Sequence, residues 1–136
     1  FLNIKGPELL SKFIGETERQ EFEDAYVRAF DFSQNTNLYL TTHNRTDFGK
    51  QAEELLRYKQ LFLDAGYDLD HELPDYLPAL LELAAAVSDK EALHILTEVR
   101  PKLELLRDRL IEAKLPYAFL LDVVLTEAAG LEGRTA

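Results

Sequence analysis

The sequence predicts an all-α, single-domain fold in which antiparallel helices pack as a bundle, and three observations predict it. Apolar residues recur at spacings of three and four along most of the chain, which is the period of an amphipathic helix. Prolines and glycines stand between these segments, where helices begin and end. Finally, 136 residues, of which 46% are hydrophobic, are enough for one core and too few for two. We therefore expect residues 1–136 to form one helical domain.

The first two helices are predicted in the N-terminal 30 residues. Pro7 opens a short helix that Gly15 ends. A second helix begins at Thr17, which is followed three positions later by Gln20 in the pattern of a capping box. Its apolar residues follow the full helical template, which predicts one buried side made of Phe22, Ala25, Tyr26, Ala29 and Phe30.

A short and a long helix are predicted next. The segment 38–43 alternates like a strand, but no second strand is evident to pair with it, so we expect a short helix. Thr46 or Asp47 then caps a helix over 48–65, and Gly66 takes the position that follows its end. The apolar face of this helix is expected to contain Ala52, Leu55, Leu56, Lys59, Phe62 and Leu63.

The segment 72–83 is the most strongly marked helix entrance. Pro74 precedes Asp75, which we expect to act as N-cap, and Pro78 falls in the first turn, where a missing N–H is tolerated. The stripe expected in the core consists of Leu77, Leu80, Leu81 and Ala84.

Helices are also predicted over the remainder of the chain. Ser88 caps a long helix with a leucine-rich stripe, in which Pro101 predicts a kink or a junction between two helices. Pro116 opens a final helix, which we expect to fray at Gly130 and Gly133. The long stripe consists of Leu93, Leu96, Val99, Leu103, Leu106, Leu110 and Ala113.

Negative charge is concentrated in the first two thirds of the chain. The formal net charge is -10, and residues 1–89 hold seventeen acidic and eight basic residues. The segment 60–89 contains seven carboxylates and neither Lys nor Arg. Such a surface disfavours nucleic acid as a partner, because binding a phosphate backbone requires clustered basic residues. It favours a cationic ligand or peptide.

The sequence lacks the residues that most catalytic mechanisms require. Cysteine is absent, so there is no thiolate nucleophile, and no glycine-rich phosphate loop is present. The segment 68–79 superficially resembles a calcium loop, but Leu73 and Ala79 stand where that loop requires Gly and Glu. Two alternatives stay open: a metal-dependent enzyme that uses the acidic loop 68–75, and a structural bundle that self-associates through the stripe Leu93 to Leu110.

Three motifs resemble a known family. The run Tyr26–Ser33, the segment Leu38–His43 and the run Glu72–Pro78 are similar to the NarJ-type chaperones of respiratory nitrate reductase. These belong to the wider TorD/DmsD group of redox-enzyme maturation proteins. Tyr76 departs from the family, which commonly has His there. Members are usually longer at both ends, so we expect N- and C-terminal extensions to be missing from this sequence.

The resemblance implies a TorD-like cytoplasmic chaperone that is not an enzyme and does not insert into the membrane. Its partner would be the nitrate reductase catalytic (alpha) subunit, through the N-terminal, twin-arginine-like segment of that subunit. The chaperone would hold the subunit competent for insertion of the molybdopterin cofactor and for membrane assembly, and would bind no cofactor stably itself. Because an apolar groove with a carboxylate rim suits a basic amphipathic segment, the peptide-binding residues are expected to be Tyr26, Phe30, Asp31, Glu72, Asp75 and Tyr76.

Overall fold

A computed structural model describes residues 16–31 and 33–135. Within these ranges the chain forms five α-helices, a π-helical turn and a 3₁₀ helix, and it has no strand. The all-α class is therefore confirmed. The helix predicted from Pro7 to Gly15 lies outside the described residues. The helices are α1 (Glu16–Tyr26), α2 (Phe48–Asp64), α3 (Leu77–Ala86), α4 (Asp89–Glu112) and α5 (Ala118–Thr135), with the π-helical turn at Val27–Asp31 and the 3₁₀ helix at Leu40–Asn44.

Helix α4 is the centre of the fold. It packs against α3, α5 and the 3₁₀ helix, and Val99, Leu103, Leu106 and Leu110 are completely buried. Most of the predicted stripe is therefore buried within this chain, and little of it is exposed for self-association between copies. Helix α5 runs antiparallel to α4: Arg107 pairs with Asp122, and Arg100 pairs with Glu132 at 3.3 Å.

Helix α4 also begins as the sequence predicts. Ser88 is its N-cap and forms a full capping box with Glu91. Pro101, however, neither divides α4 nor ends it, since a single helix runs from Asp89 to Glu112. The alternative of two helices is therefore wrong. Proline in a helix interior costs about 3 kcal/mol, and Val99 and Leu103 on either side of Pro101 are completely buried.

The buried face of α2 differs from the predicted one. Of the predicted residues, Phe62 is buried, but Leu56 and Leu63 are 69% and 45% exposed, and Ala52 and Lys59 are exposed as well. The other fully buried positions are Glu54 and Tyr58. Glu54 is buried because it meets a cation: its Oε2 lies 3.6 Å from Nζ of Lys102 on α4. The apolar period located the helix correctly, but a buried ion pair helps to set its rotation, and an ion pair between distant residues leaves no mark in a hydrophobicity pattern.

Both ends of α2 agree with the prediction. The Asp47 carboxylate accepts a hydrogen bond from the backbone N–H of Lys50, as an N-cap does. At the other end Gly66 has a φ of 83°. The N–H groups of Gly66 and Tyr67 bond to the carbonyls of Leu63 and Phe62, which is the Schellman arrangement.

The entrance to α3 corrects the role predicted for Asp75. The N-cap is Tyr76, which makes no side-chain capping bond, and Pro78 is in the first turn as expected. Asp75 does not cap the helix, because its side chain is turned inward and bonds to Thr41 on the 3₁₀ helix. Of the predicted stripe, Leu77 and Leu80 are buried, whereas Leu81 and Ala84 are partly exposed.

Two further segments show how packing decides local structure. The segment 38–43 contains both a strand-like contact and a short helix. Tyr39 forms an isolated antiparallel bridge with Tyr76, and the predicted short helix follows as a 3₁₀ helix. Helix α5 continues through Gly130 and Gly133 to Thr135, so fraying at these glycines is wrong. Ala128 and Leu131 are buried in a small cluster with Ala92 and Leu96, which holds this end of α5 on α4.

Among the described helices, none combines the length and the apolarity that crossing a bilayer requires.

Candidate peptide-binding surface

Two of the predicted contact residues lie in an aromatic row at the end of α1. The rings of Tyr26 and Phe30 are 5.1 Å apart, and the ring of Phe30 is 5.0 Å from that of Tyr117, which precedes α5. Tyr26 is half-buried, while Phe30 and Tyr117 are each only 7% exposed. Tyr26 is therefore the accessible ring of this row, and the buried ring of Phe30 packs against it.

A second aromatic pair is formed by Tyr39 and Tyr76. Their ring centroids are 4.9 Å apart, and the hydroxyl of Tyr39 donates to Oε1 of Glu72 at 2.9 Å. Burial and this hydrogen bond to a carboxylate raise the pKa of Tyr39 to about 12. The side chain therefore remains a neutral donor throughout the physiological range.

The two aromatic groups are close enough to influence each other's titration. Burial raises the pKa of Tyr26, and the nearby Tyr76 phenol and Asp31 carboxylate raise it further. The pKa of Tyr76 is likewise raised by burial and then by the charges of Glu72 and Asp31. The fold thus brings together five of the six predicted residues. With two aromatic neighbours they form what we call the aromatic–acidic surface, which consists of Tyr26, Phe30, Asp31, Tyr39, Glu72, Tyr76 and Tyr117.

The sixth predicted residue, Asp75, lies beneath this surface. Its side chain is 1% exposed, and Oδ2 accepts hydrogen bonds from the backbone N–H and the hydroxyl of Thr41. A carboxylate in this position cannot touch a ligand on the surface without a rearrangement of the loop.

An apolar groove with carboxylates adjoins the aromatic–acidic surface. Its larger part is a pocket of about 270 Å³ with no basic residue in its lining. The smaller part, about 150 Å³, reaches Glu72 and Pro74 and is also lined by Lys59. Because Glu72 belongs to both regions, the groove continues the surface. We call it the acidic groove, and its larger part is lined by Phe62, Tyr67, Asp68, Leu69, Glu82, Leu83 and Ala86.

Sequence reasoning missed three residues of this region: Tyr39, Tyr117 and Thr41. Tyr39 carried a usable signal, since it lies in the alternating segment 38–43 that could have been paired with the extended residues before α3. Tyr117 follows Pro116 directly, as an aromatic at a helix entrance. Thr41 carried no signal, because its partner is 34 positions away.

The alternative of a metal-dependent enzyme was based on the acidic loop 68–75. Within residues 16–31 and 33–135, no group of three or more His, Asp or Glu side chains is arranged to hold a metal ion. The carboxylates of the loop are instead distributed: Asp68 and Asp70 are exposed, Glu72 bonds to Tyr39, and Asp75 is buried.

Comparison with known proteins agrees with the motif resemblance. A family model described as the nitrate reductase delta subunit matches residues 5–121. A probable nitrate reductase molybdenum cofactor assembly chaperone, NarJ of Bacillus subtilis, is 37% identical over 101 residues, which cover 74% of this chain and 55% of that protein. NarJ of Escherichia coli K12, named as a chaperone of the same kind, is 32% identical over 101 residues, covering 74% of this chain and 43% of that protein.

A third relative is matched over only a small part of its length. The nitrate reductase-like protein NarX of Mycobacterium tuberculosis H37Rv is 33% identical over 122 residues, which cover 85% of this chain and 19% of that protein. The chain spans about half the length of the NarJ relatives that it matches. The resemblance drawn from the three motifs is confirmed. Because the family model covers most of the chain and the NarJ relatives agree with it, the chain belongs to the nitrate reductase delta subunit family.

Proposed function

We propose that this protein is a cytoplasmic assembly chaperone for a respiratory nitrate reductase. In this proposal it binds the N-terminal, twin-arginine-like segment of the catalytic subunit and holds that subunit competent for cofactor insertion and membrane assembly. The molybdopterin cofactor is destined for the catalytic subunit, and this chain is not an enzyme. Family membership supports the general role, since the NarJ relatives are named as molybdenum cofactor assembly chaperones.

The aromatic–acidic surface supports peptide binding. It places the partly exposed rings of Tyr26, Tyr39 and Tyr76 beside the carboxylates of Asp31 and Glu72. Aromatic rings supply contact area at small entropic cost, while carboxylates attract a basic segment and reject an acidic one. The acidic groove extends this combination and has room for apolar side chains of the same segment. A basic amphipathic peptide has the complementary chemistry.

Calorimetry with one synthetic peptide tests the proposal. The peptide corresponds to the N-terminal segment of a respiratory nitrate reductase catalytic subunit, and a scrambled peptide of the same composition is the control. We expect low micromolar binding, about -8 kcal/mol, that weakens as salt is added because salt screens exposed charges. Equal binding of the scrambled peptide, or no binding of either, would contradict the proposal.

Two matched substitutions test the carboxylate rim. Glu72→Gln removes the charge and keeps an oxygen that can accept from Tyr39, whereas Glu104→Gln removes an exposed charge on α4. We expect Glu72→Gln to weaken binding roughly two- to fivefold, the range of a partly exposed charge pair. Glu104→Gln is expected to leave it unchanged. Equal losses in both variants would indicate only nonspecific attraction by the net charge.

A further inference from the structure

We infer that Asp75 is a positioning residue that holds Tyr39 and Tyr76 together for peptide binding. This inference rests on the proposed function and assigns Asp75 a role other than the charged peptide contact expected from its sequence motif. Three observations carry it: the burial of Asp75, its two hydrogen bonds to Thr41, and the backbone geometry between them.

The backbone pairs Tyr39 with Tyr76 through two hydrogen bonds. The N–H of Leu40 donates to the carbonyl of Asp75 at 2.9 Å, and the N–H of Leu77 donates to the carbonyl of Leu38 at 2.8 Å. These bonds flank Tyr39 and Tyr76 as in a non-hydrogen-bonded antiparallel pair, the type in which opposite side chains lie closest. The ring separation of 4.9 Å follows from this register.

Burial of Leu40 and Leu77 anchors the two segments in the core, but two backbone bonds fix their register only weakly, because short pairings are marginal in water. Asp75 adds two more bonds: its Oδ2 lies 3.0 Å from the backbone N and 2.5 Å from Oγ1 of Thr41. The hydroxyl of Thr41 also accepts a hydrogen bond from Gln51 of α2 at 3.3 Å. The contact therefore joins α2, the 3₁₀ helix and the entrance to α3 immediately beneath the aromatic pair.

The hydrogen-bonding pattern indicates that the acceptor oxygen matters more than the charge. Both donors converge on Oδ2, while Oδ1 has no hydrogen-bond partner among the described residues. Asparagine offers the same acceptor oxygen without the negative charge, and a neutral amide is less costly to bury than a carboxylate. Asp75→Asn should therefore preserve the position of the tyrosines, while Asp75→Ala should not.

The test compares these two variants in the calorimetric assay with the catalytic-subunit peptide. We expect Asp75→Asn to bind within about twofold of the wild-type affinity and with the same salt dependence, since no surface charge is lost. Asp75→Ala is expected to weaken binding by roughly tenfold, because the peptide then binds only the small fraction of molecules with the pair in place. If Asp75→Asn loses as much affinity as Asp75→Ala, Asp75 acts through its charge and the inference is overturned.

Substitutions of Thr41 provide a check that does not depend on the folding of Asp75→Ala. Thr41→Val removes the hydroxyl and keeps the shape, and Thr41→Ser restores the hydroxyl. We expect weaker binding in Thr41→Val and recovery in Thr41→Ser. Wild-type affinity in Thr41→Val, with the rings still in contact, would overturn the inference.

A measurement of the contacts between the two rings tests this inference independently of the proposed function. Nuclear Overhauser contacts between the rings of Tyr39 and Tyr76 need no peptide. They should persist in Asp75→Asn and Thr41→Ser and weaken in Asp75→Ala and Thr41→Val. If wild-type protein binds no peptide, the proposed function fails, and these contacts still decide whether Asp75 positions the pair. Unchanged contacts in all four variants would overturn it.

Discussion

His43 shows how a single buried side chain is fixed in one chemical form. It lies on the 3₁₀ helix, only 5% exposed, and its two ring nitrogens have different partners. Arg109 can only donate, so Nδ1 must accept from it, and Nε2 therefore carries the proton that is donated to the carbonyl of Asn37. Protonation of Nδ1 would place two donors against each other.

This arrangement predicts a pH-dependent stability. Burial lowers the pKa of His43 from its ordinary 6.5, and the smaller opposing effect is the hydrogen bond to the Asn37 carbonyl, which raises it. The positive charges of Arg109, Lys102 and Arg45 lower it further. The unfolded chain therefore takes up the proton first as the pH falls. The contribution of His43 to stability is complete above 6.5 and is lost as the pH falls from there through the lower folded-state pKa.

Urea unfolding of wild type and His43→Gln at about pH 7.5 and about pH 5.5 measures this contribution. Glutamine can still donate to Asn37 but does not titrate, so we expect its stability to fall less than that of wild type between the two pH values. The carboxylates titrate in both proteins, and the comparison removes their common effect. Parallel pH profiles would show that His43 is not the titrating group.

At the scale of elements, the helices differ in how strictly their ends are defined. Helix α2 is terminated by Gly66, two residues beyond its last residue, and the φ of 83° at Gly66 is one that other residues adopt only with strain. Helix α5 instead passes through Gly133, where the backbone is helical. A Cβ atom added at either position would meet no atom within 4 Å. The two glycines therefore differ in backbone conformation and not in available space.

The matched pair Gly133→Ala and Gly66→Ala turns this difference into opposite predictions. Gly133→Ala should stabilise the protein by about 0.5–1 kcal/mol, because alanine loses less conformational entropy in a helix. Gly66→Ala should destabilise it by about 1–2 kcal/mol, because alanine is strained in the left-handed region. Chemical denaturation measures both changes, and shifts of the same sign would contradict the assignment of Gly66 as a helix-ending residue.

At the scale of the whole molecule, α4 supplies the core to which α3, α5 and the 3₁₀ helix attach. Leu106, on α4, is completely buried, whereas Leu56 on α2 is 69% exposed although it belongs to a predicted apolar face. The structure therefore assigns two leucines from similar sequence patterns to opposite environments.

Alanine substitutions at these two leucines test that assignment. Leu106→Ala should cost about 2–5 kcal/mol of unfolding free energy, through lost burial and the cavity left behind. Leu56→Ala should change it by less than about 0.5 kcal/mol, as is usual at exposed positions. Denaturant titrations of both variants measure the costs. Comparable losses would mean that Leu56 is buried and that α2 is rotated about its axis.

The sequence by itself determined the class of fold, the family and most helix boundaries. Ser88, Asp47 and Gly66 act on backbone groups within one turn, so their effects can be read locally. The leucine stripe of α4 also identifies its own buried face, because it is long and regular.

Only the tertiary structure decided which side of α2 is buried, whether Pro101 interrupts a helix, and where the Asp75 carboxylate lies. Each of these depends on a partner far away in the chain: Glu54 on Lys102, Pro101 on the packing around α4, and Asp75 on Thr41. Hydrogen bonds between distant residues contribute about as much free energy as a helix cap, and breaking a buried ion pair is costly, yet neither produces a local pattern. The physical reason is that local signals fix the conformation of a segment, whereas its environment is fixed by what packs against it.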